Sequence, residues 1–378
     1  MKTGFVARWD PQDKRTWSGI GYYTRREIAR YSDVEDFFFP LPRWLREWLT
    51  TQKSINRRWF GKHTAVEFLT SYARYFSNEL DKALQKRPVD LLFVLASPQL
   101  IAFSKTKLPV ILMADATFRQ IQGYYPYFSN LANYNIKCGI DLDSLAFKRA
   151  SHCLLASNWC RQSAITDYGI PPEKLSVALL GANLDLPVAD TDPVSAAQDT
   201  CRLVFLGVEW ERKGGETALA TYQLLKERGL PVSLTIMGCT PPSPVPAEVT
   251  VIPFLNKNIE AERLQHASVL KQASFLLLPS RAECAGVVFS EAAAYGIPSV
   301  TTDTGGISDY VEDGVTGFVL PLSAGAAEFA GRIAAAWTDK NWYAQLRRQS
   351  RERYERLLNW ENWGNSFHRL SSSLIRTN

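Results

Sequence analysis

The sequence predicts an α/β protein with two Rossmann-like domains, each built on a parallel sheet that is covered by helices. Short apolar runs alternate with longer amphipathic stretches throughout the 378 residues, which is the order of a βα repeat. The apolar runs lack the polar alternation of a half-exposed sheet, so we expect strands buried on both faces. Ten such runs are many for one open sheet, and two sheets of about five strands are therefore expected.

Each predicted element follows from its local pattern. The ten predicted strands cover residues 4–7, 91–95, 110–113, 153–156, 175–179, 203–206, 232–236, 249–252, 275–278 and 299–301. Amphipathic stretches with helical spacing lie between most of them, for instance at 65–84, 215–228, 260–272 and 289–295. The last stretch, 335–374, is helical in pattern and rich in Arg, Trp and Leu.

The two domains are expected to meet at residues 186–200, which contain two prolines and no apolar strand. We therefore predict a first domain at 1–187 and a second at 188–358. A C-terminal helix at 359–378 is expected to pack back toward the first domain.

Composition excludes several protein classes. Hydrophobic residues make up 46% and charged residues 21%, which is ordinary globular usage and argues against disordered or collagen-like chains. No apolar run approaches the ~20 residues that cross a bilayer. The first residues, MKTGFVARWD, lack the apolar stretch of a secretory signal. Six cysteines form no CxxC pair, and we expect reduced thiols and a cytoplasmic location.

Positive charge is concentrated in the first half. Residues 1–185 contain 25 Lys and Arg against 17 Asp and Glu, which predicts an anionic partner, either phosphates or a lipid surface. Nucleic acid is not expected, because neither a dense basic stripe nor a reader motif is present. Residues 37–62 hold six Lys or Arg, one Glu, and Trp44, Trp48 and Trp59. This pattern predicts peripheral contact with the inner face of an anionic membrane. The alternatives are the rim of a cleft for a lipid-linked or anionic acceptor, and an ordinary surface helix.

Metal motifs are weak in this chain. Asp141-Leu142-Asp143 and Asp190-Thr191-Asp192 match an Asp-x-Asp signature, but 18 aspartates produce about one such match by chance. The first match is interpreted as the start of a helical stretch, where aspartate favours the cap. The four histidines show no metal-ligand spacing. Neither a metal nor a cofactor is expected.

Glu283 and Glu291 lie in a context that favours function. Glu283 follows the apolar run 275–278 and a Pro-Ser break, which places it at the carboxyl end of a parallel strand. Ligand crevices of doubly wound sheets lie at such ends. Gly286 permits close backbone approach, and a helix is predicted to begin there whose amide groups point back at the crevice. Glu291 falls about one turn into that helix.

Two glycine-containing loops complete the candidate set. The stretch GVEWERKGG at 207–215 follows a strand and opens a helix, so Arg212 and Lys213 are positioned to bind a diphosphate. Its alternative is a strand-to-helix turn with solvated charges. In the first domain, WSGIG at 17–21 also opens a helix and contains Gly19 and Gly21.

Residues 279–317, PSRAECAGVVFSEAAAYGIPSVTTDTGGISDYVEDGVTG, closely resemble the donor-nucleotide signature of retaining glycosyltransferases of the GT-B fold, particularly family 4. The loop at 207–215 resembles that family's GRxxxxKG element. Lys213 matches its lysine, Val208 stands at its arginine position, and Arg212 is expected to supply the charge. Asp115 ends a strand at a place where many members of the family have a His-Asp pair.

The resemblance implies two domains that face each other across a cleft, and a metal-independent transfer from a nucleotide-diphosphate sugar with retention of configuration. Glu291 would bind the ribose and Glu283 the transferred sugar, with Glu283, Asp115 and Lys213 as the catalytic residues. The remaining donor-binding positions would be Gly19, Gly21, Arg212, Phe254, Leu255, Asn256, Ala285, Gly286 and Val287. The acceptor would be a glycan, a lipid-linked molecule or a small molecule.

Two other functions fit the same fold. One is a nucleotide-sugar 2-epimerase-like enzyme, which needs acid and base carboxylates with a histidine. The other is a non-catalytic nucleotide-sugar binder. The products formed from a candidate donor distinguish the three.

Overall fold

The computed structural model describes residues 1–185 and 199–376. They form two compact units, which we call unit 1 and unit 2. Unit 1 contains Met1–Ala178 and the residues from Gly364 onward, and unit 2 contains Leu179–Trp363. The predicted boundary at 187/188 and the Asp190-Thr191-Asp192 motif lie outside the described residues.

Unit 1 is built on a six-stranded sheet in which all neighbouring strands are parallel. Its order is β2-β1-β3-β4-β5-β6, with strands β1 Lys2–Ala7, β2 Asp33–Phe38, β3 Leu91–Leu95, β4 Val110–Ala114, β5 His152–Leu155 and β6 Leu175–Val177. Every residue of β3 and β4 is buried. This burial explains why both strands read as uninterrupted apolar runs.

Strand β2 was not predicted, because its sequence DVEDFF is charged. It lies at the edge of the sheet, where charged side chains are tolerated and block further strand pairing. The Arg25 guanidinium lies 2.7 Å from Asp36, and Glu35 pairs with Lys2 at 3.0 Å and with Arg87 at 2.9 Å. Tertiary ion pairs therefore hold a strand that apolar patterning does not reveal.

The helices of unit 1 are α1 Ile20–Ile28, α2 Arg43–Phe60, α3 Thr70–Lys86, α4 Phe118–Ile121, α5 Asn133–Arg149 and α6 Asn158–Thr166. The single helix predicted at 65–84 is wrong: a 3-10 turn at Val66–Phe68 precedes α3. The side-chain amide of Asn135 accepts from the Ala65 N–H at 2.7 Å and donates to the Ala65 carbonyl at 3.1 Å. The break itself lies at Leu69, whose extended backbone, with φ −87° and ψ 138°, separates the 3-10 turn from α3.

Unit 2 has a second parallel six-stranded sheet in the order β12-β11-β10-β7-β8-β9. Its strands are β7 Cys201–Leu206, β8 Val232–Met237, β9 Thr250–Ile252, β10 Phe275–Leu278, β11 Ser299–Thr302 and β12 Gly317–Leu320. Its helices are α7 Gly215–Glu227, α8 Glu260–Gln272, α9 Val287–Ala294, α10 Ile307–Tyr310, α11 Ala326–Thr338 and α12 Lys340–Arg356. The two-sheet α/β prediction is confirmed, with six strands in each sheet rather than five.

The C-terminal helix α13 spans Trp360–Arg376. In unit 1 its Phe367 ring packs edge-on against Phe93 at 5.7 Å between centroids. His368 stacks on Tyr31 at 4.9 Å. Within the part of the chain that the structure describes, no helix combines the length and apolar character needed to cross a bilayer.

The interpretation of Asp141 and Asp143 as the start of a helix is wrong, since α5 begins eight residues before Asp141. Asp141 is exposed and pairs with Lys137, whereas Asp143 is buried and accepts a 2.5 Å hydrogen bond from the Phe118 N–H. Asp143 therefore caps α4 rather than its own helix. Burial raises the pKa of Asp143 to about 7, opposed by its hydrogen bonds to Phe118 and Tyr168.

This pKa predicts how stability depends on pH. A carboxyl group with a pKa near 7 in the folded state and near 4 in the unfolded state holds its proton more tightly when folded. The contribution of Asp143 to the free energy of unfolding should therefore fall as the pH rises from about 4 to about 7. In Asp143→Asn, which keeps an acceptor for Phe118, the fall should be smaller. Urea unfolding at several pH values measures it.

Asp141→Asn is the matched control, because it removes an exposed carboxylate from the same helix. It should follow the wild-type pH dependence. An Asp143→Asn variant that follows the wild-type curve as well would contradict the assigned titration.

Candidate functional site

The candidate site is formed by two loops that leave adjacent parallel strands of unit 2. Residues 207–214 connect β7 to α7, and residues 279–286 connect β10 to α9. Strands β7 and β10 are parallel neighbours, so both loops emerge at the carboxyl edge of the sheet. Ligand crevices of doubly wound folds lie at this edge.

Gly214 allows the two loops to approach closely. Its φ is +75°, and a Cβ at this position would lie 2.0 Å from the Pro279 carbonyl oxygen. Neither the backbone conformation nor the space suits another residue. A hydrogen bond of 2.7 Å from the Arg281 N–H to the Arg212 carbonyl also joins the loops.

The structure brings together three predicted residues, Lys213, Glu283 and Arg212. The Lys213 ammonium group donates a hydrogen bond to Oε2 of Glu283. Both side chains are about nine-tenths buried. The Arg212 guanidinium lies 3.6 Å from the same carboxylate oxygen and donates to the Ala282 carbonyl at 2.9 Å.

Arg212 also binds the more exposed Glu209 at 2.9 Å, and this arginine holds the pKa of Glu209 below its usual value. Two cations and two carboxylates thus balance one another at the edge of the sheet. Val208, at the position of the family arginine, is 56% exposed.

Helix α9 begins directly beside this cluster. Ala285, Gly286 and Val287 are buried and form the turn into the helix. A Cβ on Gly286 would lie 2.3 Å from the Phe289 ring, so the start of the helix depends on a glycine.

Glu291 is buried one turn into α9 and has its own cationic neighbour. The Lys257 ammonium group donates to Oε1 of Glu291 at 2.6 Å. Nε2 of His266, on α8, lies 3.7 Å from Oε2. Burial, reinforced by the charge of Lys257, holds the pKa of His266 well below its usual value. His266 is therefore neutral near pH 7, and Lys257 supplies the compensating charge.

The predicted base-binding residues follow β9. Phe254 is half exposed, and Leu255 and Asn256 are partly buried. The Asn256 N–H donates to Glu262 of α8 at 2.5 Å. Lys257 is the next residue in the chain, so this loop leads directly to Glu291.

Gly19, Gly21 and Asp115 belong to unit 1. Gly19 is preceded by Trp17 and Ser18, and all three residues have positive φ values of 45–81°. Non-glycine residues adopt this conformation at an energetic cost, and such strain clusters at functional sites. The Trp17 ring stacks on Trp9 at 5.7 Å. Asp115 directly follows β4 and is partly buried.

Within residues 1–185 and 199–376, no group of three or more His, Cys, Asp or Glu side chains is arranged to hold a metal ion.

Comparison with known proteins points to one family. Residues 200–339 match the model of the glycosyl transferases group 1 family. The matched segment lies within unit 2. It contains Arg212, Lys213, Glu283 and Glu291, whereas the predicted residues of unit 1 lie outside it.

Individual proteins are similar to larger parts of the chain than the family model covers. The putative colanic acid biosynthesis glycosyltransferase WcaL of Escherichia coli is 28% identical over 203 residues, which cover 50% of this chain and 48% of WcaL. The match thus spans about half of that relative's length. Sucrose-phosphate synthase from Thermosynechococcus elongatus has a TM-score of 0.72 with 16% identity over 100% of both chains.

Anabaena Alr3699/HepE has been solved with UDP and with UDP-glucose. The UDP complex has a TM-score of 0.68 with 15% identity over 99% of this chain and 100% of that one, and the UDP-glucose complex has a TM-score of 0.66. The likeness confirms the GT-B type of fold, with two parallel sheets and C-terminal helices.

Sequence reasoning missed Lys257 and His266. Lys257 was adjacent to the predicted base-binding residues in the matched segment, so its position gave a signal. His266 gave none, because its proximity to Glu291 depends on how α8 packs beside α9.

The buried pair predicts strong energetic coupling between Lys213 and Glu283. Removing one partner of a buried ion pair costs roughly 3 kcal/mol or more, because the other charge remains buried. We expect Glu283→Gln to cost more than Lys213→Met, since Arg212 still faces Glu283 in the second variant. In the double variant the loss should be smaller than the sum by at least about 1 kcal/mol. Urea unfolding measures each free energy.

Lys226 and Glu248 provide a matched exposed pair in the same unit, with side chains 56% and 47% exposed. The same pair of substitutions there should change stability much less, because solvent screens exposed charges. Additive losses at Lys213 and Glu283 would contradict the buried ion pair.

Proposed function

We propose that this protein transfers a sugar from a nucleotide-diphosphate sugar to an acceptor hydroxyl group, with retention of anomeric configuration and without a metal ion. The observation that carries the proposal is the Lys213–Glu283 pair beside Arg212, at the start of α9 and within the segment that matches the group 1 family. The UDP and UDP-glucose complexes of the Anabaena protein support this class of donor.

The donor diphosphate would bind where these cations meet the start of α9. Its phosphates compete with Glu283 for the Lys213 ammonium group, because both are anions. We infer that, when the donor binds, the Lys213 ammonium group exchanges the Glu283 carboxylate for a phosphate oxygen. Glu283 then accepts hydrogen bonds from the hydroxyl groups of the sugar. Lys213, Arg212 and the first amides of α9 stabilise the charge that grows on the leaving diphosphate, a task that metals perform in other enzymes.

The nucleoside would lie farther along the same edge. Glu291 accepts hydrogen bonds from the ribose hydroxyl groups. The base packs against residues 254–256, where Phe254 is half exposed.

The reaction balances without a protein nucleophile. The bond between the anomeric carbon and the phosphate oxygen breaks, and the acceptor oxygen bonds to that carbon on the same face. The acceptor proton passes to the leaving phosphate oxygen. Asp115 is proposed to act on the acceptor side. The name of the colanic acid relative supports a glycan acceptor.

The experiment has two stages on the full chain. Thermal shifts with UDP-, GDP- and ADP-sugars identify the donor, and product analysis with glycan and lipid-linked acceptors follows in the presence of EDTA. A glycosylated product with the donor's anomeric configuration is expected. A free epimer would indicate a 2-epimerase, and binding without any product would indicate a binder. Loss of turnover in EDTA that Mg²⁺ restores would contradict the metal-independent mechanism.

Two conservative variants separate the roles of the glutamates. Glu291→Gln should weaken binding of the free nucleotide diphosphate as well as of the donor. Glu283→Gln should not weaken nucleotide diphosphate binding and should tighten it, because Glu283 competes with the phosphates for Lys213. It should lower turnover, since the contact of Glu283 with the sugar tightens in the transition state. Equal effects of both variants on nucleotide affinity would contradict these assignments.

We also propose that α2 attaches unit 1 to a membrane. Only part of the predicted segment 37–62 is exposed for this role. Phe37 is fully buried near the end of β2, and Leu45 and Leu49 of α2 face the core. Four exposed apolar side chains form a stripe of about 60° along one flank of the helix, which we call the aromatic stripe: Trp44, Trp48, Ile55 and Trp59.

The basic side chains Arg46, Lys53 and Arg57 lie on the other flank of the buried face. The exposed Phe60 also lies on that side, and the exposed Arg58 lies beside the aromatic stripe. The two properties are thus largely, but not fully, separated on α2. We assign insertion at the lipid interface to the aromatic stripe and long-range attraction to the basic flank.

Salt dependence distinguishes these contributions in co-sedimentation with anionic vesicles. Arg46→Gln/Lys53→Gln should weaken binding about tenfold at low salt and little at high salt, because screening removes the attraction. Trp48→Ala/Trp59→Ala should weaken binding at both salt concentrations. Leu145→Ala, an exposed apolar position of α5, is the control and should bind like wild type. Absence of wild-type binding at low salt would leave α2 an ordinary surface helix.

A further inference from the structure

Lys257 connects two parts of the proposed nucleoside site. It directly follows residues 254–256, which are proposed to bind the base, and its ammonium group reaches Glu291 on α9 at 2.6 Å. The same ammonium group lies 3.5 Å from the Asn183 carbonyl oxygen. One side chain therefore spans the distance between the loop after β9 and helix α9.

The loop that carries Lys257 is itself fixed. The Asn256 N–H donates to Glu262 at 2.5 Å, and the Asn258 N–H donates to the Asn256 side chain at 3.0 Å. Glu262 belongs to α8, so the base of the loop is tied to that helix. Lys257 is thus presented to Glu291 from a fixed backbone.

The Glu291 carboxylate is also bounded on two sides. Oε1 accepts from Lys257, and Oε2 faces His266, which α8 contributes. A buried carboxylate with one neighbour at each oxygen has little freedom to rotate. Its orientation is consequently set before any ligand binds, which reduces the entropy lost on binding.

We propose that Lys257 is a positioning residue for nucleoside recognition. It fixes the position of the Glu291 carboxylate relative to residues 254–256, which are proposed to bind the base. This inference rests on the proposed function, because it assigns Glu291 to the ribose. Base and ribose are then recognised by one connected group of residues. Lys257 acts through Glu291 and through the loop, and it makes no contribution to the bond-breaking step.

The test compares ribonucleotides with their 2′-deoxy counterparts on the full chain. Calorimetry with UDP, GDP and ADP identifies the nucleotide that the wild type binds most tightly. Lys257→Met should lower affinity for that nucleotide about tenfold, because Glu291 is no longer held in place and its charge-assisted contact with the ribose is lost. It should lower affinity for the 2′-deoxy form much less, because that form already lacks a hydroxyl group for Glu291. The difference in affinity between the two nucleotide forms should therefore be smaller in Lys257→Met than in the wild type.

Two further variants separate positioning from stability. Lys257→Arg keeps a cation that can reach Glu291 and should recover most of the discrimination. Lys271→Met makes the same change at an exposed position of unit 2 and should leave both affinities unchanged. Melting temperatures report any loss of stability, which alone would not alter the ratio of the two affinities.

Several results would overturn the inference. Equal losses for both nucleotide forms would mean that Lys257 contacts another part of the ligand or only stabilises the fold. Tighter binding by Lys257→Met would mean that Lys257 competes with the ribose for Glu291. If the wild type binds no nucleotide diphosphate, the proposed function fails together with the inference. If it binds and discriminates but Lys257→Met is unchanged, only the inference fails.

Discussion

The requirement to neutralise two buried carboxylates determines how the carboxyl edge of the second sheet is built. Glu283 and Glu291 lie eight residues apart in the chain and are both buried. A buried carboxylate without a partner costs several kcal/mol. Their partners come from two other connections, Lys213 after β7 and Lys257 after β9. Three connections along one edge are thereby joined through ion pairs.

Under the proposed function, this arrangement would prepare the site for an anionic ligand. Lys213 is already largely removed from water by its contact with Glu283, so exchanging a carboxylate for a phosphate does not require a new desolvation of the lysine. Preorganised charges of this kind stabilise developing negative charge more effectively than solvent does. The close approach at Gly214 also contributes to this preorganisation, because it holds residues 207–214, which carry Lys213, against the loop that carries Glu283.

The sequence was informative where one segment carries its own signal. Strands β3 and β10 are buried throughout and read as apolar runs, and Glu283 was located from its position after β10. Edge strand β2 is missed because its acidic residues pair with Arg25, Arg87 and Lys2, which other elements contribute. Helix α3 starts later than predicted because the backbone of Leu69 is extended. Asp143 is misread because the N–H that it caps lies 25 residues away.

The candidate site was likewise predictable from sequence only in part. Lys213 and Glu283 lie in local motifs that sequence reasoning can recognise, but their pairing depends on β7 and β10 being neighbours in the sheet. The contact of Lys257 and His266 with Glu291 depends on the packing of α8 and of the loop after β9. No local pattern encodes that packing.

Charge is used differently in the two units. In unit 2, Arg212 and Lys213 are balanced by Glu209 and Glu283, so this cluster adds little to the long-range field and acts over contact distances. The excess of positive charge lies in residues 1–185. On α2 of unit 1, basic side chains are exposed to solvent, where they attract anions over about a Debye length and are screened by salt. Under the proposed function, unit 1 would therefore supply the long-range attraction of an anionic partner, and the paired, buried charges of unit 2 would recognise a phosphate.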